Sequence, residues 1–232
     1  MEIAVTNPTN NNNSGGMSVH LSCADMNTSL RYYRDVLGFE LKESWPDAEN
    51  PIWASLVLQG QTLMIGGAMT PETLESCKTG NLTDWHREQA GMWGKNPVGV
   101  GIQTYFQVDD IDTYHAELAT RDARLQSEPT TQFYGIRDII VTDPDGYTMI
   151  FFSPVKMDDC QSCGMPLANA EPGTMYCQYC SNASGGLRPY EEVFEGTVTG
   201  YFMAMQKMDR PTAEVAAKEH LAKMPAWACQ AV

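Results

Sequence analysis

The sequence has no apolar run long enough to cross a membrane, which would need about 18 consecutive residues. It also lacks the basic start and apolar stretch of a secretion signal. Residues 1–16 are instead polar and rich in asparagine and threonine, and we expect them to form a disordered tail. These features predict a globular, cytoplasmic protein with no membrane partner.

Basic residues are scarce, with 15 lysines and arginines against 29 aspartates and glutamates, so the net charge is −14. An acidic surface repels phosphate backbones, which disfavours nucleic acid as a partner. The same field favours a cationic ligand or partner, although many acidic proteins carry such a charge for solubility alone. With 43% hydrophobic and 19% charged residues, the composition is that of an ordinary globular chain.

Four of the seven cysteines lie close together as two pairs with two residues inside each pair, Cys160 with Cys163 and Cys177 with Cys180. Each pair forms a tight turn that presents two thiolates to one cation, and Zn²⁺ takes four thiolates tetrahedrally in closed, structural sites. We therefore expect a structural zinc ion here, against the alternatives of an iron–sulfur cluster, a redox dithiol or coincidence. The remaining cysteines are most simply unpaired thiols: Cys23, Cys77 and Cys229.

The region before residue 155 contains an internal repeat. A strand-like run at 19–24 leads through Asp25 into an amphipathic helix, and the same order recurs about 85 residues later around Asp110. Each aspartate is placed to cap its helix by accepting a hydrogen bond from a free N–H of the first turn. The order strand, helix, three strands therefore occurs twice, the later strands being expected at 39–43, 53–58, 62–65, 124–126, 136–141 and 147–152.

An insertion at 69–97 separates the two copies and is long for a plain loop, so we expect it to have structure of its own or to cover a site. Pro71 is placed to start a short helix. Three large side chains are expected to be buried anchors: Trp85, Met92 and Trp93.

The helix end at 29–39 (Ser-Leu-Arg-Tyr-Tyr-Arg-Asp-Val-Leu-Gly-Phe) resembles the vicinal oxygen chelate superfamily of glyoxalases, bleomycin resistance proteins and extradiol dioxygenases. The segments 108–110 (Val-Asp-Asp), 135–137 (Gly-Ile-Arg) and 143–147 (Asp-Pro-Asp-Gly-Tyr) resemble its second-half signatures. The resemblance covers residues 17–154 and implies an α+β fold, in which two βαβββ modules form a cupped sheet around a ligand or metal site.

Carried over from that family, the metal-binding positions fall at Ser18, Gln103 and Ile150, with a fourth near Met64. A divalent cation needs several converging hard donors, and of these four only Gln103 could bind in the family's manner. We therefore expect a cup without the chelate. His20, two residues beyond Ser18, projects to the same side of the strand and could be a base, a hydrogen-bonding group or a stray ligand, or simply a packed histidine.

The same alternation predicts which side chains line the cup, although each of them could equally be a packing residue. An aromatic, mildly polar cavity suits a planar or hydrophobic small molecule held by a few hydrogen bonds. The candidate ligand-binding residues are Ser18, His20, Trp53, Gln103, Tyr105, Phe133 and Arg137.

The cysteine-rich segment, with Gly164 after the second cysteine and a Met-Pro-Ala-Trp sequence at 224–227, resembles a zinc ribbon domain of uncharacterised bacterial proteins. The resemblance covers 159–227 and brings no known activity. An apolar helical stripe from Tyr190 to Met205 and a second helix near Pro211 are expected to pack on the ribbon or on the preceding domain.

Three functions remain open at this point. The favoured one is a metal-free, small-molecule-binding protein resembling the bleomycin resistance branch, with a structural zinc ribbon and, as that branch implies, a homodimeric assembly. The second is a metal-dependent lyase, isomerase or dioxygenase that uses His20 and Gln103 as partial ligands, so whether the chain is an enzyme is left open. The third is a protein-interaction module.

Overall fold

The computed structural model describes residues 18–76, 82–95 and 97–228. The chain forms two compact units. The first contains the chain up to Ile102 together with Arg121–Ala123 and Thr142–Tyr147, and the second contains Gln103–Thr120, Arg124–Val141 and the chain from Thr148 onward. The tail predicted at 1–16, and the predicted thiols Cys77 and Cys229, lie outside the described residues.

A four-stranded sheet in the spatial order β1-β4-β3-β2 organises the first unit. β1 runs parallel to β4, and the other neighbours are antiparallel. The helix α1 follows β1 and continues as a π-helical segment, Tyr32–Val36. The elements are β1 (Val19–Cys23), α1 (Met26–Arg31), β2 (Glu40–Trp45), β3 (Trp53–Leu58), β4 (Gln61–Gly67), α2 (Pro71–Ser76) and α3 (Asp84–Met92).

The helix α1 begins where the sequence predicts, because the Asp25 carboxylate accepts a hydrogen bond from the backbone N–H of Thr28 at 2.7 Å. Leu30, Tyr33 and Leu37 recur at helical spacing and are buried. Alternate residues of the strands supply the matching apolar face of the sheet, and the buried residues there include Leu21, Cys23, Ala54, Leu56, Leu63 and Ile65.

The turn at Thr142–Tyr147 is held to α1 by a network around a buried carboxylate. Asp143 accepts hydrogen bonds from the backbone N–H groups of the three residues that follow Pro144, and from the hydroxyl of Tyr33 at 2.8 Å. Asp145 accepts from the N–H of Ala24 at 2.7 Å and from the hydroxyl of Ser29 at 2.8 Å. Burial raises the pKa of Asp143, whereas these donors act in the opposite direction.

A second four-stranded sheet, in the order β5-β8-β7-β6, repeats the arrangement in the second unit. Tyr114 of α4 lies 5.0 Å from the ring of Phe151 between centroids, and Phe106 stacks on Phe151 at 5.5 Å. The elements are β5 (Gln103–Gln107), α4 (Ile111–Thr120), β6 (Thr130–Thr131), β7 (Ile136–Thr142) and β8 (Thr148–Pro154). The predicted α+β fold, with two strand–helix–three-strand modules, is confirmed.

The cysteine-rich segment and a group of helices complete the second unit. The helix α5 (Tyr190–Gly196) continues as a π-helical segment, Thr197–Met203, and is followed by α6 (Arg210–Leu221) and α7 (Pro225–Ala228). Val193 of α5 and Leu221 of α6 are buried together with the cysteines. None of the helices in the described ranges is long and apolar enough to span a membrane.

Two local predictions are wrong. Residues 124–126 form an isolated bridge, Leu125 to Val141, because the side-chain oxygen of Ser127 accepts the N–H of Ile140 where a strand carbonyl would be needed. In the insertion, the side chains of Trp85 and Met92 are exposed, and Trp93 is half-buried. The helix α3 is short and largely polar, and its buried residue is Ala90, so it has little apolar surface with which to bury a tryptophan.

Candidate metal centre and ligand-binding faces

The four paired cysteines converge, as the sequence predicts. Their Sγ atoms all lie within 4.8 Å of one another, and those of Cys163 and Cys177 are 3.7 Å apart. Tetrahedral Zn²⁺ with Zn–S bonds of about 2.3 Å requires S–S separations of about 3.8 Å. The four sulfurs are therefore close enough to share one zinc ion after side-chain shifts of about 1 Å or less, and a shell of four sulfur ligands leaves no position for a substrate.

Backbone geometry shapes the first of the two cysteine turns. The N–H of Gly164 donates to the carbonyl of Cys160 at 2.8 Å, and Gly164 adopts φ +73°, a conformation that favours glycine. The N–H of Cys177 donates to the Sγ of Cys160 at 3.3 Å, which favours a thiolate there. Hydrogen bonds from the Cys163 and Cys180 thiols also lower the pKa of Cys160.

The C-terminal helices bind the backbone of this same turn. Three successive carbonyls, at positions 161, 162 and 163, each accept a hydrogen bond from α6 or α7. The donors are the N–H of Ala226 at 3.0 Å, the indole Nε1–H of Trp227 at 3.0 Å and the Nε2 of His220 at 2.8 Å. The turn that carries the zinc-binding cysteines 160 and 163 is thus held by contacts from outside the cysteine loops. The Met-Pro-Ala-Trp segment was the sequence signal for these contacts.

The ribbon is also hydrogen-bonded to Val155, which follows β8 and is itself bonded to the residue before β7. The N–H of Val155 donates to the carbonyl of Gly135 at 3.0 Å, and the N–H of Gly173 donates to the carbonyl of Val155 at 2.8 Å. A Cβ on Gly135 would lie 3.3 Å from the carbonyl oxygen of Gly173, so the close approach requires glycine.

The first sheet carries a polar and aromatic face opposite its apolar face. Alternation along β1 places His20 and Ser22 on this face, and Ser18 lies exposed just before the strand. In register, His20 lies beside Met64, which lies beside Ser55. Met64, near which the resemblance places a metal-ligand position, therefore lies beside His20. Its thioether is a poor ligand for a hard divalent cation.

His20 lies over a glycine of the neighbouring strand. A Cβ added to Gly66 would come within 2.5 Å of the imidazole Nε2, so the ring occupies the space that a side chain at position 66 would fill. Partial burial lowers the pKa of His20, which makes the neutral imidazole the dominant form near pH 7.

Sequence reasoning missed Trp45. A β-bulge between Leu41 and Glu43 shifts the register of β2 by one residue, and this shift pairs Trp45 directly with Trp53. Without the bulge, Trp45 would have pointed to the other face of the sheet. The lone β-like run at 39–43 gave no sign of a bulge, so the pairing could not be predicted.

The second sheet presents a comparable face. Along β5, Gln103, Tyr105 and Gln107 are exposed, whereas Thr104 and Phe106 are buried. The predicted alternation of this strand is therefore observed. In register, Tyr105 lies beside Ile150 of β8, and its ring is 6.2 Å from that of Phe152.

The remaining two candidates of this unit lie in different environments. Phe133 is exposed, and its ring contacts Tyr134 with the centroids 5.1 Å apart. The Arg137 guanidinium is held by the carboxylate of Asp112, with Nε–O distances of 3.0 and 3.1 Å and an Nη2–O distance of 3.0 Å. The hydrogen bonds to Asp112 raise the pKa of Arg137. They also engage the guanidinium that we expected to bind a ligand. Ligand binding by all seven predicted residues stays a prediction.

Comparison with known proteins identifies two regions. Residues 18–151 match the Glyoxalase/Bleomycin resistance protein/Dioxygenase superfamily, and residues 159–228 match a zinc ribbon domain. No functionally curated protein matches the sequence.

Several solved structures are similar to the chain. TioX from Micromonospora sp. ML1 is 19% identical, with 62% of this chain and 98% of TioX covered at a TM-score of 0.43. A glyoxalase/bleomycin resistance protein/dioxygenase from Nocardioides is 20% identical, with coverages of 67% and 85% and the TM-score 0.43. TnmS3, an antibiotic binding protein from Streptomyces sp. CB03234, is 18% identical, with coverages of 61% and 96% and the TM-score 0.43.

The superfamily match spans more than half of the sequence, and the two strand–helix–three-strand modules have the architecture that this match implies. The chain therefore belongs to the glyoxalase/bleomycin resistance protein/dioxygenase superfamily, with a zinc ribbon fused after the glyoxalase-like domain.

Proposed function

We propose that this protein binds a small organic molecule through the polar and aromatic faces of its glyoxalase-like sheets, without a catalytic metal. The observation that carries the proposal is the exposure of Gln103, Tyr105 and Gln107 along one face of β5, beside a buried apolar face. Aromatic surface with a few hydrogen-bonding groups is the usual lining of small-molecule sites.

The donor chemistry supports binding over metal catalysis. The superfamily positions hold Ser18, Met64, Gln103 and Ile150, and His20 is the added nitrogen donor. A divalent cation in a catalytic site is held by several nitrogen or carboxylate ligands. This set lacks carboxylates, so we assign His20 and Gln103 to hydrogen bonding with a ligand.

The zinc ribbon has a structural role in this proposal. When bound, zinc crosslinks the two cysteine turns, and its four thiolates leave no open coordination position. The helices α6 and α7 add to the support of the zinc site, because their side chains hydrogen-bond to backbone carbonyls of the first cysteine turn.

We also infer a cytoplasmic location and a homodimeric assembly. None of the five described cysteines is in a disulfide, which suits a reducing compartment such as the cytoplasm. A homodimer is inferred from the bleomycin resistance branch that the sequence resembles.

The experiment combines metal analysis with ligand screening of the full chain. A thermal-shift screen should find stabilising compounds among cationic and aromatic small molecules, and Gln103→Ala should reduce the shift more than the control Gln178→Ala in the ribbon. Elemental analysis should find one zinc per chain. A second metal that is lost in His20→Ala and Gln103→Ala would instead support a metal-dependent enzyme, and a screen without any stabilising compound would contradict the proposal.

A further inference from the structure

The two indoles of the first sheet lie on the same face as His20. The cross-strand pairs Trp45–Trp53 and Trp53–Gly66 place both tryptophans on one row, which continues to Ser22 on β1. Directly opposed residues of antiparallel strands have Cβ atoms about 4.5–5.5 Å apart, so the two indole side chains start from adjacent points on this face.

Gly66 leaves an opening in this row. It has no side chain, and the imidazole of His20 lies over it from one side. Trp53 is its direct partner on the other side. Trp53 and His20 therefore flank the backbone of Gly66. Trp45 follows Trp53 in the same row and is 51% exposed.

The loop that joins β2 to β3 fixes the position of the tryptophans. The N–H of Ile52 donates to the carbonyl of Trp45 at 2.8 Å, and the N–H of Gly67 donates to the carbonyl of Ile52 at 2.9 Å. Both bonds connect the loop to the strands that carry Trp45 and Gly66. The site is thus supported by backbone contacts rather than by side chains alone.

The charge around the rings is negative. Residues 40–50 contain four carboxylates and one ammonium group, that of Lys42. Glu43 pairs with Ser55, which places it on the same face as the rings, one row away from Trp45. The neutral imidazole of His20 adds no positive charge. Indole faces attract cations more strongly than other aromatic side chains do.

We propose that Trp45, Trp53 and His20 form a binding site for a planar organic cation on the polar face of the first sheet. The inference rests on the proposed small-molecule function and names the chemical class of one ligand. A flat ring stacks on the indoles, and the cationic charge is balanced by Glu43 and by the carboxylates of the adjacent loop.

The test measures binding of N-methylacridinium, a permanent planar cation, by fluorescence titration of the full chain loaded with zinc. Anthracene-9-carboxylate serves as the planar anion. We expect saturable binding of the cation, binding at least tenfold weaker for the anion, and weaker cation binding as salt is raised.

The matched variants are Trp45→Leu, Trp53→Leu and Trp85→Leu, the last removing an exposed tryptophan of α3. The first two should each weaken cation binding about tenfold, and Trp85→Leu should leave it unchanged. Glu43→Gln should weaken it about threefold without changing the aromatic surface. Far-UV circular dichroism confirms that each variant is folded.

The outcomes separate this inference from the function on which it rests. Equal affinities for Trp45→Leu and Trp85→Leu, or equal binding of the anion, would overturn the cation site. If other compounds stabilise the protein while N-methylacridinium does not bind, the site is overturned and the small-molecule function stands. If no compound binds at all, both are overturned.

Discussion

His220 Nε2 lies 2.8 Å from the carbonyl oxygen of Cys163, so a side chain of α6 is bonded to the backbone of a zinc ligand. This contact joins two segments that are 57 residues apart in sequence. It makes the C-terminal helices part of the metal centre's support, together with Trp227.

Replacing His220 should therefore weaken zinc retention. His220→Ala leaves the Cys163 carbonyl without this donor, and loss of such outer contacts typically costs tenfold or more in metal affinity. Zinc transfer to a chromogenic chelator should be about tenfold faster than in the unmodified protein. Lys218→Ala, an exposed change on the same helix, is the control and should transfer zinc at the original rate.

Removing zinc should unfold the ribbon and α7. The buried cluster around the cysteines consists of a few side chains, including Val193, Leu221 and Trp227, and it is too small to be stable without the metal. Chelation should expose Trp227, seen as a red shift of tryptophan emission, and lower the helix signal. In Trp227→Phe the shift should disappear, whereas a shift that persists in this variant would place the change elsewhere.

The buried pair of Tyr33 and Asp143 gives a pH-dependent prediction. Tyr33→Phe removes a donor at 2.8 Å from a buried carboxylate and should lower the free energy of unfolding by about 1–3 kcal/mol near pH 7. Tyr32→Phe is the control, because the Tyr32 hydroxyl donates to a carbonyl at 3.2 Å rather than to a carboxylate.

The sign of the pH effect follows from the raised pKa of Asp143, which burial keeps above its ordinary value of 3.8. A raised carboxyl pKa means that this group's contribution to stability is present below pH 3.8 and is lost as the pH rises through the folded-state pKa. Tyr33 opposes that loss by donating to the ionised form. The difference between Tyr33→Phe and the original protein should therefore shrink as the pH falls towards 4, and an equal difference at both pH values would contradict the argument.

The exposed ring of Tyr105 provides a test of the second sheet. Tyr105→Ala should reduce the thermal shift given by an aromatic compound found in the screen, because a stacking surface of β5 is lost. Tyr179→Ala removes an exposed tyrosine of the ribbon and should leave the shift unchanged. If the two substitutions changed the thermal shift equally, the prediction that β5 forms part of the binding face would be contradicted.

Much of this architecture could be predicted because local signals agreed with one another. Asp25 and Asp110 both cap helices, each accepting an N–H three residues later at 2.7 Å, and the repeat around them gave the two modules. The spacing of the four cysteines sufficed for the metal centre, since each pair fixes its own turn.

The features that the sequence did not reveal depend on contacts between separate segments of the chain, which no local pattern encodes. The bulge that brings Trp45 opposite Trp53 depends on the pairing of two strands. The ion pair of Arg137 with Asp112, 25 residues away in sequence, is likewise visible only in the fold, and ligand binding by Arg137 stays a prediction. Trp85 was expected to be a buried anchor, but it is exposed, because the helix that carries it offers little apolar surface.

The central claim is that the glyoxalase-like domain binds no metal and that the ribbon binds one zinc ion. Elemental analysis tests it most directly, by comparing the metal content per chain of the original protein with that of the double variant Cys160→Ser and Cys163→Ser. We expect one zinc per chain in the original protein and none in the double variant. A metal that remains in the double variant and disappears on replacing His20 or Gln103 would contradict a metal-free binding domain.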